Sequence, residues 1–102
     1  MTKEGRLPCI VPHCRRTRKD DGKFTDWICA RHWSGVPMLQ RALYRRTCRR
    51  VRRIIARRPQ YREYWHLRPG SPERLRAVAM WRRLEHVWSE CKRTAIERAM
   101  GI

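Results

Sequence analysis

Apolar positions along this chain follow a helical period in two long stretches and are sparse in a third. Over residues 37–58, Leu43, Tyr44, Thr47, Cys48, Val51, Ile54 and Ile55 fall on one half of a helical wheel, and arginines fill the other half. Pro37 suits a first helical position, and Pro59 forbids continuation, so this segment predicts one amphipathic helix. Over residues 73–102 the stripe is Ala77, Trp81, Leu84, Trp88, Cys91 and Ala95, stepping alternately by four and three. Ser71, Pro72 and Glu73 form a strong helix start, and Gly101 can serve as the residue that ends it, giving a helix from about Pro72 to Met100. The two stripes would bury each other as an antiparallel pair. Between them, "PQYREYWHLRPGSP" (59–72) reads as an aromatic connector with a helical turn around Tyr61–His66.

Residues 1–36 are different. Turn formers cluster at Lys19–Lys23, and Phe24–Ile28 alternates like a short strand after that loop tip. The apolar residues are few: Leu7, Ile10, Val11, Phe24, Trp27, Ile28 and Trp33. So small a core cannot offset its chain entropy without a staple.

The staple is legible in the cysteines. Cys9-x4-Cys14 and Cys29-x2-His32, separated by fourteen residues, supply three thiols and an imidazole. Zinc favours four tetrahedral ligands, and Cys3His is a common structural set. Two tight turns would each present a ligand pair, joined by a hairpin with its tip near Asp20-Asp21-Gly22, and one structural Zn2+ would supply the missing folding free energy. Against this stands the reading of the cysteines as small buried hydrophobes or disulfide partners, and His13 is an alternative ligand to Cys14. Five cysteines are an odd number for a disulfide framework. The opening "MTKEGRLPC" has no apolar core of a signal segment, and no stretch approaches a membrane span, so a bacterial host's cytosol or nucleoid is the expected compartment. Cys48 and Cys91 sit on apolar stripes and read as core.

The fold expected is therefore mainly α. It comprises a Cys3His zinc module (1–36) built as a zinc-stapled knuckle or hairpin, an arginine-rich amphipathic helix (37–58), an aromatic connector (59–72) and a C-terminal packing helix (73–102). The two helices are long and antiparallel.

Charge then narrows the partner. Lysine and arginine number 26 against 9 acids, a formal charge of +17, and 22 of the 26 are arginine. Residues 37–58 hold nine arginines and no acid. Arg41, Arg45, Arg46, Arg49, Arg50, Arg52, Arg53 and Arg57 share one helix half with no carboxylate at i,i+3 or i,i+4 to relieve them. Such a face suits phosphates, with Arg15, Arg16, Arg18 and Lys19 extending it from the first ligand pair. Nucleic acid, DNA or RNA, is the expected partner; an acidic or DNA-mimicking protein surface comes second, and a membrane is not expected. Trp65, with Tyr61 and Tyr64, is a candidate for stacking on single strands. Nothing assembles a catalytic set: no H-E-x-x-H pattern, nucleophile triad or glycine-rich phosphate loop is present, so neither enzyme activity nor a small-molecule substrate is expected.

The stretch Cys9–Trp33, closed by "WICARHW" and followed by an arginine-rich helix, resembles small zinc-finger proteins encoded by bacteriophages and prophages. Its general arrangement is similar to a zinc knuckle or treble-clef finger. The resemblance covers the zinc module and the arginine-rich helix behind it, and it implies a structural zinc at Cys9, Cys14, Cys29 and His32. Treble clefs also occur in HNH nucleases, whose histidine–asparagine–histidine set has no match here. A phage origin would bring a further class of partner, a host or phage protein complex that this chain inhibits or modulates.

Overall fold

The computed structural model describes residues 5–22 and 25–101. In chain order it contains strands β1 (Arg6–Pro8) and β2 (Thr17–Lys19) and helices α1 (Ala30–Trp33), α2 (Met38–Arg57) and α3 (Pro72–Ala99). Two 3-10 turns, Pro59–Tyr61 and Tyr64–His66, lie between α2 and α3. The architecture is mainly α with a small N-terminal hairpin, as the periodicity predicts. No helix among the described residues is long and apolar enough to cross a membrane. The chain divides into two compact units, Met1–Pro37 with Cys91–Ile102, and Met38–Glu90.

In the first unit, β1 and β2 pair antiparallel with Arg6 opposite Lys19 and Pro8 opposite Thr17. The ladder is extended at one end by Asp20 N–H to Gly5 O (2.9 Å) and at the other by Cys9 N–H to Arg16 O (3.0 Å). The loop of this hairpin is therefore the first ligand pair itself. Asp20–Gly22 lies beyond β2, where the Asp20 carboxylate accepts the Gly22 N–H at 3.0 Å and Gly22 takes a φ of 78°. The strand expected over Phe24–Ile28 does not form within its described part. Trp27 makes one isolated parallel bridge to Cys9 in place of a ladder, with Ile10 N–H donating to Trp27 O. Lys23 and Phe24 fall outside the described residues.

The first unit's core is Cys9, Val11, Ile28, Cys29, Val36, Cys91, Thr94 and Ala95. Its last three members come from the end of α3, which the sequence reading assigned wholly to the helix pair. A half-buried ion pair, Lys92 Nζ to Asp26 Oδ2 at 2.7 Å, joins this helix end to the segment leading into Cys29.

The second unit is the helix pair. Within it, Tyr44 near the start of α2 meets Trp88 of α3, ring centroids 5.1 Å apart. At the opposite end Arg58 and Gln60 both reach Glu73, at 3.4 and 2.9 Å. Contacts at both ends fix an antiparallel arrangement. Thr47 and Val51 are the buried residues of α2. The Thr47 hydroxyl is satisfied by donating to Leu43 O at 2.8 Å, so a polar atom on the core face carries no unmet bond. Arg58 N–H bonds Ile54 O at 2.8 Å to close the last turn before Pro59. The Ser71 hydroxyl accepts Arg74 N–H at 3.2 Å and caps α3. Gly101, with a φ of 75°, follows its end as expected. The core stripe of α3 contains Ala77 and Val87, the latter absent from the alternating pattern, while Trp81, Leu84 and Trp88 are half-buried.

Candidate metal centre

The first ligand pair sits in the loop of the β1–β2 hairpin. Cys9 follows β1 directly and is pinned by its backbone bond to Arg16 and its bridge to Trp27; the next residue, Ile10, donates to Trp27 O at 2.8 Å. The chain then reverses through Val11-Pro12-His13-Cys14, closed by Cys14 N–H to Val11 O at 3.2 Å. His13 has a φ of 67°, and proline at the second place of the turn with a left-handed third residue is the signature of a type II turn. Histidine is one of the few side-chain-bearing residues enriched in that region. The turn aims Cys14 back towards Cys9 and leaves His13 exposed.

The second pair is set by one turn of helix. Cys29 is the N-cap of α1, and Trp33 N–H bonds Cys29 O at 2.8 Å, so Cys29 and His32 share a face. Cys29 Sγ lies 3.2 Å from His32 Nδ1.

The two pairs converge. Cys9 Sγ is 3.7 Å from His32 Nδ1, Cys14 Sγ is 3.9 Å from Cys29 Sγ, and all four donor atoms lie within 4.8 Å of one another. Metal–ligand bonds of about 2.0–2.3 Å in a tetrahedron imply donor–donor edges of roughly 3.4–3.8 Å. The spacing therefore fits a single ion with four protein ligands. Cys14 and Cys29 are too far apart for a disulfide, which needs about 2.05 Å between sulfurs. All five cysteines are free.

The electrostatics of the two buried thiols differ. Burial pushes the Cys9 thiol above its ordinary value, only partly offset by backbone hydrogen bonds. Burial acts on Cys29 in the same direction, but the backbone N–H groups of His32 and Arg31 and the neighbouring thiols outweigh it and hold Cys29 below its ordinary value. Cys29 N–H also donates to Cys9 Sγ at 3.3 Å. Backbone donors aimed at sulfur favour thiolates, the form in which cysteine ligates metal.

The proposed nucleic-acid contacts are distributed over both units. On α2, Arg45, Arg46, Arg49, Arg50, Arg52, Arg53 and Arg57 are exposed, whereas Arg41 is half-buried and engaged by a neighbouring group. Arg53, Arg50 and Arg57 border a shallow depression floored by Ile54. In the first unit Arg15, Arg16 and Lys19 are exposed, and Arg18 on β2 is half-buried and has a partner. The aromatic connector does not offer the stacking set expected of it. Tyr61 is only 3% exposed, its carbonyl accepts Trp81 Nε1–H at 2.8 Å, and the Arg58 guanidinium stands 5.9 Å from its ring centre. Trp65 alone of the three is exposed, packed edge-on against Tyr64 and His66.

Two features escaped the sequence reading. The Asp26–Lys92 pair spans 66 positions, and no local pattern announces it. Arg31 lies inside the C-x2-H spacing, and nothing in the neighbouring residues sets it apart from the other arginines. Comparison with protein-family models, with curated proteins and with solved structures finds no match for this chain.

Proposed function

We propose that this chain is a non-enzymatic zinc-finger protein of phage or prophage origin that binds nucleic acid, mainly at phosphates, through the arginine face of α2. The observation that carries the reading is the acid-free row on that helix: seven of its eight arginines are exposed. Like charges held at helical spacing destabilise the free helix, and a polyanion relieves them. Three thiols and one imidazole at tetrahedral spacing suit Zn2+ over harder ions such as Mg2+ or Ca2+, and four protein ligands leave no open position for a substrate, so the zinc is structural. Cys9, Cys14, Cys29 and His32 would hold it.

The test is titration of the zinc-loaded chain with duplex DNA, single-stranded DNA and structured RNA at about 50 and 200 mM salt. Six or more phosphate contacts predict a loss of roughly a thousandfold between the two. Changing Arg45, Arg49 and Arg52 to glutamine should weaken binding across all sequences and flatten the salt slope by about one unit for each phosphate no longer neutralised. Unchanged binding by that variant refutes the α2 face.

A second reading has its own observation. Met38 and Leu39, at the start of the same helix, are 69% and 81% exposed. An arginine row beside bare apolar side chains also suits an acidic protein surface, as expected of an inhibitor or modulator of a host or defence complex. Weak, salt-indifferent binding to every nucleic acid would favour it.

A further inference from the structure

The first unit carries a concave, cationic surface of its own, directly against the metal centre. Arg15, Arg16, Arg31 and His13 are among its lining residues with Cys14 and His32, and no carboxylate is. Arg15, Arg16, Arg31 and His13 are all exposed. None of the three arginines has an ion-pair partner among the described residues, whereas nearby Arg18 is engaged. Three unpaired guanidiniums around one hollow repel each other and lower their mutual energy by sharing an anion; a phosphate oxygen triad matches their planar forks.

The route of the chain adds a condition. Arg15 and Arg16 leave the first ligand pair, one and two residues after Cys14, and Arg31 sits within the second, between Cys29 and His32. Contacts between the two segments include those of Cys9 and Ile10 with Trp27 and Cys29 and the cluster of four donor atoms. An ion bound by all four donors clasps the segments that carry the two halves of the hollow.

We infer that this hollow is a phosphodiester seat for a nucleic-acid strand, assembled by metal binding and formed by Arg15, Arg16 and Arg31 with His13 at its rim. It rests on the nucleic-acid reading above but uses neither α2 nor its arginines. It also revises the basic surface expected from sequence, bringing in Arg31 and leaving out Arg18 and Lys19.

The experiment compares three forms of the full chain, each loaded with Co2+ in place of zinc: wild type, R15Q/R16Q/R31Q and R45Q/R49Q/R52Q. Cobalt–thiolate absorption reports that the cluster is intact in each. Affinity for one duplex of about 12 base pairs is then measured from about 50 to 200 mM salt. Each phosphate contact contributes about 3.5-fold to the loss over that range, so removing two or three contacts flattens the loss by about 12- to 40-fold. A seat at the hollow predicts that flattening in R15Q/R16Q/R31Q with its cobalt spectrum unchanged. A wild-type salt slope retained in full by that variant overturns the seat while leaving the α2 reading standing. Absence of salt-dependent binding by wild type overturns both. A further arm uses wild type stripped of metal: if it keeps the full slope, the metal does not assemble the seat.

Discussion

Replacing Cys29 with serine removes the most buried of the four donors, a residue 1% exposed, and should melt one unit of the protein while sparing the other. The magnitude follows from the metal and from where the helices belong. A structural zinc in a small finger contributes about 10–16 kcal/mol of apparent binding free energy near neutral pH. That matches or exceeds the whole stability of an ordinary domain, about 5–15 kcal/mol. The first unit, whose buried apolar residues are two valines, one isoleucine, one alanine and cysteines, has no comparable reserve. The helices α1, α2 and α3 hold 4, 20 and 28 residues. Loss of α1 alone therefore removes less than a tenth of the α-helix, and loss of Cys91–Ala99 as well brings this to a quarter. The far-ultraviolet circular dichroism of Cys29→Ser should fall between those two bounds, and chelation of wild type should lower it by the same amount. The near-ultraviolet signal of Trp27 and Trp33 should collapse in parallel. A chelated wild type with both signals intact refutes the staple. Loss of more than half the helix signal refutes the division of labour, because α2 and the first two-thirds of α3 would then depend on the metal too.

His13→Gly should keep the cobalt–thiolate spectrum and change stability by no more than about 1 kcal/mol, since glycine is at home at a φ of 67°; loss of the spectrum would restore His13 as a ligand. Trp81→Phe should cost about 1 kcal/mol in urea unfolding of the helix pair, because the 2.8 Å bond to the Tyr61 carbonyl is lost in a part-buried contact. A neutral result would show that water replaces that bond freely. Acid should release the metal: binding requires three thiolates and a neutral imidazole and so expels protons, which makes affinity fall as pH falls. Zinc release followed with a colorimetric chelator should therefore be complete at acid pH and reversed on return to neutral pH, and pH-independent retention would contradict ligation by thiolates.

Much of this protein follows from signals confined to a few neighbouring residues. The helical period of Leu43 to Ile55, the stop at Pro59, the cap at Ser71 and the glycine at position 101 are local, and each appears in the structure where the chain places it. The four donors are legible for the same reason. Each pair is brought together by one tight turn or one turn of helix, and three thiols with one imidazole are the donor types that would converge on one ion.

Tertiary structure decided what depends on distant partners. It paired β1 with Thr17–Lys19 and left Trp27 with a single bridge to Cys9, and it moved Cys91, Thr94 and Ala95 out of the helix pair into the first unit. It buried Tyr61, leaving Trp65 as the exposed ring, and it set Arg31 beside Arg15 and Arg16. A strand's alternation or a helix's stripe says that a face will be covered but not by what. The energy of covering it comes from residues tens of positions away, as Lys92 and Asp26 illustrate across 66, and contacts at that separation leave no periodic trace in the chain.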